Sequence, residues 1–323
     1  MNLLDKNICL SLWKWKLLST AALTEMYFEH LAPCTAYKRL WSLKRGGLIQ
    51  HVPVDWKKID RRFLWALTRK GFNSIREFLP KLRNDAFRSE TIDHDHLVSA
   101  IHIGEWLKGI PAGCALFSEQ QLRCLYRDQY PDWVPNVDIH RPDGYWRTLV
   151  NGKRATVALE VELTRKSGPD YRGIGLFYSK RDKLFRVIWV VKTIATATHI
   201  QKEIRIVDSE NYLIHDFILL THFLEESWGA KIVMGRDEGL PMAALFCPRE
   251  EKSRKYISST FLLNTLKSPH MSKSCAFSSK IKTSEGVGSS TLLSPSPNES
   301  SVRPATNKPL NQTSNTKGAW FED

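Results

Sequence analysis

The sequence predicts a mixed α/β (α+β) fold in two structured segments followed by a tail. Three observations carry that reading. Residues 1–92 pattern as helix, helix, helix and hairpin, and hold 17 Lys and Arg against 8 Asp and Glu. From residue 93, runs rich in β-branched and aromatic residues alternate with helical stretches in the order α-β-β-β-α-β-α-β, the pattern of a mixed sheet with flanking helices. From about residue 268 large apolar residues become sparse and Ser, Pro, Asn and Thr dominate. Such a segment buries too little surface to offset its ordering entropy and reads as disordered. The expected boundaries are 1–92, 93–267 and 268–323.

Each element has its own signal. ICLSLWKWKLL (8–18) places apolar residues at helical spacing. Ser19 or Thr20 is placed to cap TAALTEMYFEHL, and Pro33 is expected to end that helix. TAYKRLWSLKRGGL (35–48) reads as a third helix stopped by Gly46-Gly47. LIQHVPVDW (48–56) and RRFLWALT (62–68) read as short strands joined by KKID (57–60), and LTRKGFNSIREFL opens another helix. Three helices and a two-stranded wing make a winged helix-turn-helix. In the second segment HLVSAIHIGEWLKG (96–109) reads as a helix, and CALFSEQQLRCLY (114–126) as a strand with a helical turn. GPDYRGIGLFYSKRDKL (168–184) is a helix carrying glycines, with Tyr171 and Tyr178 expected to pack on the sheet. FRVIWVVKT (185–193) has the composition of a strand buried on both faces. TATHIQKEIRI (196–206) is a helix, and YLIHDFILLTHFL (212–224) a strand entering a short helix.

The chain of 323 residues carries a net charge of +13 with a pI near 9.5, which favours a polyanionic partner. The excess of nine positive charges in the first 92 residues fits nucleic acid better than a membrane surface, because it spreads over several elements. The six cysteines are scattered without a CxxC pair, so neither a structural zinc site nor a disulfide framework is indicated. The N-terminus lacks the features of a signal peptide, and no run reaches the length of a membrane span. A cytoplasmic protein is expected. The recognition helix 35–46 would offer Lys38, Arg39, Ser42, Lys44 and Arg45 to phosphates and base edges of double-stranded DNA, and the wing would add Lys57, Lys58, Arg61 and Arg62. The alternative is a solvated basic face on a protein-interaction domain.

The sharper signal is the Asn151-Gly152 pair between two strand-like runs. Asn-Gly is the strongest short-range indicator of a two-residue hairpin turn. Without a bulge, cross-strand partners have numbers summing to 303, which sets Asp143 opposite Glu160 and Arg141 opposite Glu162. Side chains so opposed lie about 5 Å apart, and like charges there are destabilising unless a cation or proton intervenes. On that count Asp143→Asn leaves the metal-free chain as stable or more so. Glu160 and Glu162, two apart, share a face, and three carboxylates of this kind suit Mg²⁺ or Mn²⁺. Lys166 is the nearest lysine able to orient a water. A cross-strand ion pair with Arg141 is the plainer account of Glu162, and Pro142 threatens the register because it cannot donate to a ladder. Glu105 reads as a helix-surface charge and Glu119 as a weaker candidate ligand. His94 and His96 read as a helix start capped by Asp93.

The Asp143…Glu160-x-Glu162 pattern on an αβββαβ order resembles the PD-(D/E)xK nuclease superfamily. Combined with an N-terminal winged helix and the stretch "RPDG…ALEVELTRKS", it is similar to the bacterial replication-relaxation family over roughly residues 8–225. The resemblance implies a winged helix-turn-helix followed by a restriction-endonuclease-like αβββαβ domain and a disordered C-terminal tail. It also implies a role in plasmid or mobile-element replication and mobilisation, with relaxase or replication proteins as further partners. Asp143 would be the superfamily aspartate and Glu160 the acid of its second motif. The lysine should stand two residues after that acid, where this chain has Glu162. Either Lys166 replaces it from a migrated position, or Glu162 is an extra ligand, or the site is inert. A Mg²⁺-dependent endonuclease and a non-catalytic DNA-binding accessory factor or transcriptional regulator therefore both stand.

Overall fold

A computed structural model describes residues 1–52, 64–136, 139–150, 152–181, 183–210 and 212–246. The wing residues Lys57, Lys58, Arg61 and Arg62, the turn residue Asn151 and the tail from 268 lie outside the described residues. All described residues belong to one compact unit, Met1–Met271, with mixed α+β architecture and two sheets.

The first helix, α1 (Leu3–Trp15), starts five residues before the apolar periodicity does. Asn2 supplies the reason, its side chain accepting from the Asp5 N–H at 2.9 Å. The helix stops at Trp15 because Lys16 takes φ +61 and Leu18–Ser19 become a strand, β1. Ser19 caps α2 (Thr20–Tyr27) as expected, accepting from Ala22 at 3.0 Å. Pro33 does not end α2. It opens α3 (Pro33–Arg45), where its missing N–H costs nothing and its fixed φ suits the first turn. Gly47, at φ +73, lets the chain leave α3 as the Leu48 N–H returns to the Leu43 carbonyl. β2 (Ile49–Val52) and β3 (Leu64–Leu67) follow, and the sheet has three strands, not two, in the order β1-β3-β2. Thr68 caps α4 (Arg69–Ile75).

The second segment opens with α5 (Ile92–Ile103), four residues earlier than its periodicity suggests. Thr91, not Asp93, occupies the cap position; Asp93 sits in the first turn. Then come β4 (Ala115–Ser118), α6 (Glu119–Cys124), β5 (Gly144–Val150), β6 (Lys153–Glu162), α7 (Gly168–Ser179), β7 (Leu184–Val191), α8 (Ile194–Val207), β8 (His215–Leu219) and α9 (Leu220–Glu226). The helix after the hairpin is shorter than the 168–184 expected, ending at Ser179. The sheet order β4-β5-β6-β7-β8 is antiparallel through β6 and parallel beyond it. β7 is buried on both faces from Arg186 to Val191. α5 covers one face, the Trp146 indole donating to its His102 carbonyl at 3.1 Å. α7 covers the other, Tyr171 meeting Trp189 edge to face at 6.3 Å. One apolar cluster runs from Ile8 to Phe246, so the junction near residue 92 is packed. Among the described residues no helix is long and apolar enough to cross a membrane, and the described cysteines Cys9, Cys34, Cys114 and Cys124 are free thiols.

Candidate functional site

The hairpin register is the one obtained by counting. Every β5–β6 pair, from Gly144↔Leu159 to Val150↔Lys153, sums to 303, and Gly152 takes φ +72, as a primed turn requires. The ladder ends where Pro142 would face Val161, because Pro142 has no N–H to give. Gly144 turns the chain there at φ +146, and a Cβ on it would lie 2.2 Å from His102 Nε2. Two side chains complete the broken ladder. Asp143 Oδ2 accepts the Val161 N–H at 2.7 Å, and His94 Nε2 donates to the Val161 carbonyl at 3.1 Å.

That geometry decides what Asp143 sees. His94 Nε2 is 3.4 Å from Asp143 Oδ2, and His94 Nδ1 is 3.7 Å from Asp95 Oδ1. Burial opposes charge on this ring, but the two aspartates outweigh it and raise its pKa to about 10. The cation beside Asp143 is therefore an imidazolium. Set aside in the sequence for want of a partner, His94 finds partners from β5 and from its own helix.

Glu160 and Glu162 share a face of β6, as expected, and both are buried against α7. Glu160 Oε1 is 2.6 Å from His140 Nε2 and accepts from the Tyr178 hydroxyl. Burial and the Glu160 charge hold the Tyr178 phenol well above its ordinary value, so it serves as a donor. Burial opposes charge on His140, yet Glu160 raises its pKa. Glu162 Oε2 pairs with Lys166 Nζ at 2.6 Å. The Lys166 N–H donates to the Tyr171 hydroxyl at 2.8 Å, while Ser167 and Asp170 form a capping box at the start of α7. Lys166 thus belongs to Glu162, with the Glu160 charge also acting on it.

Arg141 does not pair with Glu162. β5 begins only at Gly144, and the Arg141 Nε lies 2.6 Å from Glu119 Oε1. Glu119 also meets Lys16 at 2.6 Å, and Lys16 reaches Asp95 at 3.0 Å, so Glu119 is taken up by two cations. Glu105 is an exposed helix charge. His140 has no signal in the sequence, and Tyr178 reads there only as packing on the sheet; nothing local separates a tyrosine that only packs from one whose hydroxyl meets a buried glutamate.

Among the described residues, no group of three or more His, Cys, Asp or Glu side chains is arranged to hold a metal ion. The donor set does not fit a resident Mg²⁺ or Mn²⁺ as it stands. Such an ion would have to displace His94 from Asp143, His140 from Glu160 and Lys166 from Glu162.

On α3 the basic residues divide. Lys38, Ser42 and Arg45 are exposed along one face. Arg39 turns inward, with Nε 2.7 Å from Asp5 Oδ1 and a second nitrogen 2.5 Å from Oδ2. Lys44 lies over the Trp41 ring at 4.2 Å. Comparison with family models, with curated proteins and with solved structures returned no match.

Proposed function

We propose that this chain is a cytoplasmic DNA-binding protein, an accessory factor of plasmid or mobile-element replication or mobilisation with an inert nuclease-like domain. Its first segment is read as a winged helix that binds double-stranded DNA through α3. The observation that carries this is the exposed row Lys38, Ser42 and Arg45 on a helix clamped from behind by the bidentate Arg39–Asp5 pair. A fixed helix presenting two cations about two turns apart on one face, with a hydroxyl between them, suits groove recognition. The charge excess of the first 92 residues supports it. The second segment is read as a restriction-endonuclease-like domain whose expected order is interrupted by α6 between β4 and β5, and its carboxylates, each held by a protein donor, favour binding over cleavage. Replication or relaxase proteins are the partners this reading supplies.

A metal-dependent endonuclease is the second reading, favoured by one observation: the Lys166 amine stands at the Glu162 carboxylate with Glu160 near enough to act on it. In that reading Asp143, Glu160 and Glu162 would be the ligands, but only after His94, His140 and Lys166 had been displaced from them. Gel-shift titration across salt tests DNA binding, since phosphate neutralisation gives a steep salt dependence. Lys38→Glu with Arg45→Glu should abolish most of the affinity; unchanged binding removes α3 from the interface. Incubation with supercoiled plasmid and Mg²⁺ or Mn²⁺, with EDTA as control, separates the two readings. Metal-dependent nicking that Asp143→Asn abolishes would establish the endonuclease.

A further inference from the structure

A cleft of about 170 Å³ lies where the end of α1 meets the start of α5 and the β4–α6 junction, and Asp143 is among the residues lining it. That volume has room for several waters or one phosphate group. Its lining balances four cations (Lys14, Lys16, His94 and Arg141) against four carboxylates (Glu90, Asp95, Glu119 and Asp143), but they are not paired one to one. Asp95 is taken by Lys16, Glu119 by Lys16 and Arg141, and Asp143 by His94. Glu90, the remaining acid, is hydrogen-bonded by Arg123. Among the described residues this leaves Lys14 as the lining cation without a carboxylate. Its Nζ donates to the Leu116 carbonyl at 3.2 Å and lies 5.2 Å from the Trp15 ring centre. An ammonium carries three N–H donors and a guanidinium five, so Lys14 keeps two and Arg141, engaged through Nε, keeps the rest of its fork. Burial draws the Lys14 pKa down to about 8, as expected of an ammonium short of negative charge.

We propose that this cleft is a phosphate-binding site, with Lys14 and Arg141 as its donors. The proposal leans on the DNA-binding reading only for the origin of the phosphate. Lys14 is a point charge and Arg141 a planar fork, a pairing suited to an oxyanion with several acceptor oxygens.

Inorganic phosphate, titrated into the full chain against chloride at constant ionic strength, is the probe, and thermal unfolding the readout. The expected result is a saturable rise in Tm that Lys14→Arg retains, Arg141→Met reduces and Lys14→Met eliminates. No rise in the wild type, or an equal rise in Lys14→Met, overturns the proposal. Duplexes with a 5′-phosphate and with a 5′-hydroxyl then identify the source. If Lys14→Met weakens both several-fold, a backbone phosphate occupies the cleft; if only the phosphorylated duplex, a strand end; if neither, while the phosphate response persists, the free ion. A wild-type chain that binds no DNA would remove the DNA-binding reading and leave the phosphate titration to decide this one.

Discussion

Replacing Asp143 by Asn keeps an acceptor for the Val161 N–H and removes the charge beside His94. A hydrogen bond to a charged group contributes about 1.5–3 kcal/mol and a neutral one about 0.5–1.5 kcal/mol. Asp143→Asn should therefore cost about 1–2 kcal/mol at pH 7. In a unit of this size about 1 kcal/mol moves Tm by about 2–4 °C, so the expected drop is about 2–8 °C. The sign of the pH dependence follows from His94. Its folded value of about 10 lies above the unfolded value of about 6.5. The stability it supplies is full below pH 6.5 and is lost as pH rises through 10. The gap between wild type and variant should be widest near pH 6.5 and nearly closed above pH 10. Circular dichroism melts from pH 6.5 to 10.5 in EDTA measure it. Opposed carboxylates alone predict the reverse, an unchanged or stabilised variant. If Asp143→Asn melts at or above the wild type in EDTA, and Mg²⁺ raises Tm in the wild type only, the imidazolium account is wrong and Asp143 is a metal ligand.

Tyr178→Phe deprives buried Glu160 of one donor and should cost about 1–3 kcal/mol by denaturant unfolding; an unchanged midpoint would show that water replaces the hydroxyl. Arg39→Glu confronts Asp5 with a second carboxylate and should lower Tm, with much of the loss recovered in Asp5→Arg/Arg39→Asp. Lys38→Glu/Arg45→Glu, in contrast, should leave Tm within about 0.5 kcal/mol of wild type while costing DNA affinity. Gly104→Ala should destabilise by about 3 kcal/mol or more, because at φ +38 its Cβ would sit 2.1 Å from Trp228 Nε1. A folded, equally stable variant would mean that the Trp228 ring relocates freely.

What the chain discloses by itself is local. The hairpin register follows from two residues, since an Asn-Gly turn fixes all pairing behind it, and Ser19 caps its helix within three residues of itself. β7 reads as a central strand because its apolar run is continuous. The misreadings are of two kinds. Helix starts at Leu3 and Ile92 fall in polar turns that periodicity cannot see, and β1 exists only because β3 pairs with it. The site suffers from distance in sequence. His94 lies 49 residues before Asp143, and Tyr178 lies 18 after Glu160 on another element. Counting placed the carboxylates but not the cations that answer them, and Arg39 looked like a groove contact because its partner Asp5 stands 34 positions away.

One helix touches two separate places in this chain. α1 holds α3 through Asp5 and reaches the cleft through Lys14. Nine residues of α-helix span about 13–14 Å, and successive base pairs of a duplex are about 3.4 Å apart. A duplex engaged at both places would meet them about four base steps apart, a spacing set by a rigid rod and not by a linker. For a duplex lying along α1, lengthening the helix by one turn would shift that interval by between one and two steps.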